Sequence, residues 1–239
     1  MLGLDVLWVY LAASPLLWLT ATLAAYLLAD RVSAACGRHP LANPVLLAVA
    51  LMSAVLMATG TKFQTYFEGA QFVHFLLGPA TVALAVPLWR NRREVGRALL
   101  PLAAALLAGA VTAVVSAVGI AWAFGAPAPV LAAIAPKSVT AAIAMGIAHE
   151  LGGDPALTAT LVISTGILGA MMAWPVLGAV GVRDPAARGF ALGLAAHGIG
   201  TARAFQADPV AGTFAGIAMG LNGLVTAAIV PVVLRLFGL

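Results

Sequence analysis

A lysine, two hydroxyls and a proline stand together in Ala135-Pro136-Lys137-Ser138-Val139-Thr140, inside an otherwise apolar stretch. No Asp, Glu, Lys or Arg occurs from residue 98 to residue 136. A lysine facing lipid at such depth costs about 2.5–3.5 kcal/mol on insertion scales. Proline breaks a helix, and a bilayer tolerates the freed backbone groups only where they are buried in protein or line a cavity. Pro136 suits the first position of a new helix, so the residues after it would present unpaired N–H groups at the positive end of the helix dipole. Lys137 adds a full charge, and Ser138 and Thr140 add hydroxyl donors. That set suits a carboxylate. The plainer reading is a lysine that snorkels beside a structural kink.

A second constellation is Ala195-Ala196-His197-Gly198-Ile199-Gly200-Thr201-Ala202-Arg203. Gly198 and Gly200 let the backbone approach a ligand closely, and Arg203 can grip a carboxylate with two parallel hydrogen bonds. His197 can donate a hydrogen bond or carry a proton near neutral pH. The alternative is an Arg203 at the membrane edge and a His197 packed against another helix. A third break, Gly78-Pro79, is followed by Thr81. In each case a Pro or Gly break precedes a half-helix with Ser or Thr in its first turns, the pattern of midplane binding sites in transporters. His149-Glu150 before Gly152-Gly153-Asp154 reads as a helix end at a surface, and Asn222 as an interhelical hydrogen bond. No Cys/His set has metal-ligand spacing, and no Walker, dinucleotide or nucleophile motif occurs. No metal, cofactor or enzymatic activity is expected.

The elements that must position these residues are membrane helices. The chain has 63% hydrophobic and 8% charged residues and a mean hydropathy of +1.06, whereas ordinary globular proteins carry about 25% charged residues. Period-2 alternation is lacking, which excludes a barrel. The expected fold is an all-α polytopic membrane protein in one domain, residues 1–239, with about 7–8 transmembrane or re-entrant helices. The breaks at Gly78-Pro79, Ala135-Pro136 and Gly198–Gly200 suggest an inverted-repeat transporter fold. Helices are expected at 6–29, 44–60, 69–89, 98–124, 130–150, 157–180, 189–205 and 213–237, with 61–68 as a polar, aromatic surface loop. Whether 130–150 and 189–205 span or dip in and return stays open. The pI near 9.8 rests on few cations, of which Arg90, Arg92, Arg93 and Arg97 share one loop. Such clusters lie in the cytoplasm, which puts the N-terminus outside, and they do not speak for nucleic acid.

The motifs also resemble those of a known family. Asn43-Pro44, the run from Leu77-Gly78-Pro79 to Leu88, Ala135–Thr140, Ala187-Arg188-Gly189, His197–Ala204 and Gly216–Leu221 occur in the order of the LrgB/CidB family, which includes the C-terminal half of the plastidial glycolate/glycerate translocator. The resemblance runs over residues 40–237. Two departures stand out: Ala141-Ala142 where the family usually has Thr-Pro, and Trp174-Pro175 where it usually has Gly-Pro. The resemblance implies a multi-pass protein of the bacterial cytoplasmic (inner) membrane, often working beside a small LrgA/CidA-type membrane protein; a homo-oligomer is also expected. It implies one of two activities: secondary transport of small monocarboxylates such as pyruvate, glycolate or glycerate, or antiholin-like control of murein hydrolase export and autolysis. Cations and hydroxyls at helix breaks favour transport, with Lys137, Ser138, Thr140, His197, Gly198, Gly200, Thr201, Arg203 and Thr81 around the anion.

Overall fold

The computed structural model describes residues 14–238 except 40–41, 77–78, 80–81, 84–85, 87–88 and 90–91. Gly78 and Thr81 therefore lie outside the described residues. Every regular element among the described residues is a helix. The chain divides into two compact units, Met1–Ala83 and Leu84–Leu239.

The first unit holds α1 (Pro15–Ala35), α2 (Pro44–Thr59) and α3 (Phe63–Phe75). Asn43 caps α2 by accepting from the N–H groups of Val45 and Leu46, and Gly60, at φ 63°, ends it. Residues 61–68 are not the expected loop, because Phe63, Tyr66 and Phe67 recur at helical spacing and begin α3. Tyr66 meets the buried Trp18 of α1 edge to face, with centroids 6.0 Å apart. At Gly69 a Cβ would collide with the carbonyl of Pro15, so α1 and α3 touch at backbone distance. The first helix runs to Ala35 rather than 29, and Asp30 makes an ion pair with Arg38 just beyond its end.

The second unit holds α4 (Arg92–Arg97), α5 (Leu99–Ala123), α6 (Ala128–Ile134), α7 (Ala141–Glu150), α8 (Pro155–Ala179), α9 (Pro185–Ala207) and α10 (Pro209–Leu236). With α1, the helices α5, α8 and α10 are long and apolar enough to cross a membrane. The last three helices begin two to four residues before their expected starts. Each is opened by an Asp-Pro pair, in which the carboxylate of Asp154, Asp184 or Asp208 accepts from first-turn N–H groups and proline takes the first position.

The two interrupted segments turn back on themselves. In α9 the backbone leaves helical geometry at Ala196 (φ −130°) and His197 (φ 41°). The break thus precedes the Gly198–Gly200 run that was expected to form it. Before the break Gly189 lies against Ala211 and Gly193 against Ala215, so 185–195 runs parallel to α10. After it Thr201 approaches Met219 and Phe205 covers Gly212, so 198–207 runs antiparallel. Gly200 shows why glycine is needed. A Cβ there would sit 2.7 Å from the carbonyl oxygen of Leu192 and from the Cβ of Ala196.

The segment 128–150 does the same from the other end of α10. Ala128 and Leu151 both lie beside Pro231, Leu234 and Arg235, whereas Ile143 reaches Gly223 and Ser138 reaches Asn222. Each return arm is about 15 Å long at 1.5 Å per residue, half of a roughly 30 Å hydrocarbon core. Both segments are re-entrant hairpins.

Three through-helices frame them. Leu106 of α5 packs with Phe190 and Phe214 near one end, and Val114 and Val118 with Val230 and Val233 near the other. Helix α8 runs opposite to α5 and α10. Gly153, just before it, abuts Ala133 of the first hairpin, and Gly178 near its end faces Arg188 at the base of the second. Arg92, Arg93, Arg183 and Arg188 belong to the end from which the second hairpin enters, hereafter the arginine end.

Candidate functional site

The two hairpin tips meet halfway along α10. Asn222 is completely buried at the midpoint of this 28-residue helix. Its Nδ2 donates to the carbonyl of Leu194 at 3.0 Å and to that of Ser138 at 3.4 Å, one from each tip. Thr226 donates to Asn222 Oδ1 at 3.2 Å. A second meeting point lies on α8. The Val162 side chain packs with Val139 and Ala144 of the first hairpin, and its carbonyl accepts from His197 Nε2 at 2.9 Å. The carbonyls of Ser138 and Leu194, one released at each break, are therefore met by protein, as a hydrocarbon environment requires.

At the first tip, helix α7 begins at Ala141, with Thr140 as its N-cap. The start lies five residues past Pro136, because residues 135–138 form turns instead, with Lys137 N–H donating to Ile134 and Val139 N–H to Pro136. The Thr140 side chain makes no capping bond, so the first N–H groups of α7 are not closed off by their own cap. Lys137 is half-buried, while Ser138 and Val139 are buried. No acid lies within reach in sequence: between residues 98 and 149 there is none, and Asp154, Asp184 and Asp208 are committed to helix caps at the ends. A cation and a helix N-terminus thus stand together at mid-depth, with no ion pair to Lys137 among the described residues, and both favour an anion.

At the second tip, the chain after His197 starts another half-helix whose N-terminus also points to the centre. Gly198 is exposed there. Other expected ligands are occupied. The Thr201 hydroxyl donates to the His197 carbonyl at 2.8 Å, and the buried His197 ring is held on Val162 against Gly166. These groups fasten the kink. Arg203 is half-buried six residues past His197, about 9 Å along the helix toward the arginine end, and makes contacts of its own. Lys137, Thr140 and Gly198 are thus the accessible expected residues at the tips, with Arg203 set back from them and Thr81 outside the described residues. Reading the sequence as an anion site did not include Asn222. Its signal was an amide in the centre of an uncharged window, which cannot face lipid and so must serve other polar groups.

Residues 22–236, both hairpins included, match the LrgB-like family. The chain belongs to that family. It is 31% identical over 199 residues to the holin-like protein CidB of Staphylococcus epidermidis, covering 83% of this chain and 87% of that protein. Identity to the holin-like protein CidB of Staphylococcus aureus is 30% with the same coverage. YxaC of Bacillus subtilis is 32% identical over 198 residues, 83% of this chain and 86% of that protein. No solved structure matches the chain. This LrgB-family chain is an all-helical, multi-pass bacterial membrane protein.

Proposed function

We propose that this LrgB-family protein is a non-enzymatic secondary transporter of small monocarboxylates of the pyruvate, glycolate or glycerate type. The carrying observation is that two half-helices entering from opposite ends aim their N-termini at one midpoint, beside Lys137, in a stretch with no acid from residue 98 to residue 149. A pore-forming lesion needs neither re-entrant tips nor a cation held at their meeting point. In this reading Lys137 and the first N–H groups of α7 hold the carboxylate, Thr140 and Gly198 border it, and Arg203 attracts it from the arginine end. Ser138, His197, Gly200 and Thr201 shape the tips.

The arginine end is cytoplasmic in this reading, because cationic loops stay inside. In this reading the protein lies in the bacterial cytoplasmic membrane, with α10 ending outside and the N-terminus outside too. An LrgA/CidA-type small membrane protein and further copies of this chain are its proposed partners.

The Staphylococcus relatives are named holin-like, and that name favours a second reading of this chain, in which it is an antiholin-like protein modulating murein hydrolase export and autolysis. Purified protein in sealed proteoliposomes separates the two. Saturable uptake of labelled pyruvate or glycolate is expected; release of large trapped dyes without saturable uptake would overturn transport in favour of the holin-like reading.

A further inference from the structure

We infer that Asn222 is a latch shared by two gates, one amide holding both re-entrant tips closed, each tip opening toward the end from which its hairpin enters. The inference rests on the transport reading above. Both acceptors are carbonyls, so the NH2 group must face them, and its two hydrogens serve one tip each. Thr226 takes the amide oxygen and fixes the plane of the side chain.

The two bonds are unequal. The 3.0 Å bond to Leu194 is at the usual length, whereas the 3.4 Å bond to Ser138 is stretched. The second tip is also fastened by His197 on Val162 and by Thr201. Among the described residues, no other side-chain hydrogen bond reaches 135–140. The first tip is therefore the weaker gate and opens first, toward the end opposite the arginines. A donor with only two hydrogens then gives the pathway its order. While one tip swings away, the other can stay bound, and the site is open to one side at a time.

Sided thiol labelling tests this. In a Cys36→Ser background, Ser138→Cys and Leu194→Cys each place a buried thiol at one tip without altering the carbonyl that Asn222 holds. Sealed vesicles of either orientation are exposed to a membrane-impermeant maleimide. With Asn222 present both thiols are protected. With Asn222→Leu, Ser138→Cys should react from the end opposite the arginines and Leu194→Cys from the arginine end. Each should react at least about tenfold faster, the ratio that the loss of a bond near 1.4 kcal/mol gives.

Thr226→Ala keeps both donor bonds and should leave both thiols protected. If the leucine variant fails to fold, Asn222→Ser, whose one hydroxyl can serve one carbonyl, should expose Ser138→Cys alone. Labelling of both thiols from one end, from both ends, or of neither would overturn the latch. Pyruvate uptake by vesicles of the Cys36→Ser chain with Asn222, Ser138 and Leu194 intact separates the two claims: sided labelling of the variants without uptake by this parent removes the transport reading, and uptake with unsided labelling removes the gates.

Discussion

Lys137 carries the only full charge of the first tip, half-buried, and the acid of its hairpin, Glu150, stands at the far end of α7. Lys137→Ala should abolish monocarboxylate uptake while the protein still inserts and purifies as a folded species. Lys137→Arg should also impair uptake, since a planar fork does not replace a point charge in a tight site. Full uptake by the alanine variant would reduce Lys137 to a snorkelling side chain. The N–H at the start of α7 can be tested without touching a side chain. Thr140 has an extended backbone (φ −61°, ψ 148°), the conformation a following proline requires, so Ala141→Pro fits the helix while deleting one donor. A hydrogen bond to a charged group contributes about 1.5–3 kcal/mol, so KM for pyruvate should rise roughly tenfold or more with unchanged thermal stability. An unaltered KM would place the carboxylate elsewhere. Lys137 was legible because charge in an apolar window is conspicuous. The Thr201 hydroxyl donates to its own backbone, and a sequence does not say whether a hydroxyl faces a ligand or a carbonyl of its own helix.

The second hairpin turns on a non-glycine residue at positive φ, His197, a geometry that costs about 1–3 kcal/mol for a residue with a Cβ. His197→Ala loses the bond to Val162 and keeps the strain; His197→Gly loses the same bond and relieves it. The glycine variant should therefore be the more stable of the two in detergent melts, the reverse of the order inside an ordinary helix, where alanine is favoured by about 1 kcal/mol. An alanine variant that melts higher would mean the segment is an uninterrupted helix. Helices were readable where apolar length decided them, as in α5 and α8. Their starts were missed where Asp-Pro caps, a local polar signal, extend the helix beyond its apolar window. The exact break in α9 was hidden for another reason. The glycines mark where two arms must approach, while the turn itself falls on the residue whose ring can be anchored to α8.

Counting arginines could not orient the chain beyond residue 124, because two interrupted segments could each have crossed or returned. With both returning, three crossings remain among the described residues of the second unit, by α5, α8 and α10, and Arg92, Arg93, Arg183 and Arg188 fall at one end, with Arg235 at the other. Single cysteines at Arg183 and at His149, both exposed, should therefore label from opposite sides of the membrane, Arg183→Cys from the cytoplasm. Labelling of both from one side would require one hairpin to span. The pairing of hairpins across α10 was not legible in the sequence at all, since the two tips share almost no residues and are matched only by where they stop.

The order of the chain, with α10 after both hairpins, has a consequence for biosynthesis. Both hairpins are made before the helix that binds their tips, and Asn222 emerges from the ribosome only after all of them. Until then the carbonyls of Ser138 and Leu194 lack their donor, and the close seats of Gly189 and Gly193 on Ala211 and Ala215 are empty. The newborn chain therefore cannot settle its interior in order of synthesis, as many proteins do. It must wait for α10, and a ribosome that stops short of that helix releases a chain with its polar tips exposed, a natural substrate for membrane quality control.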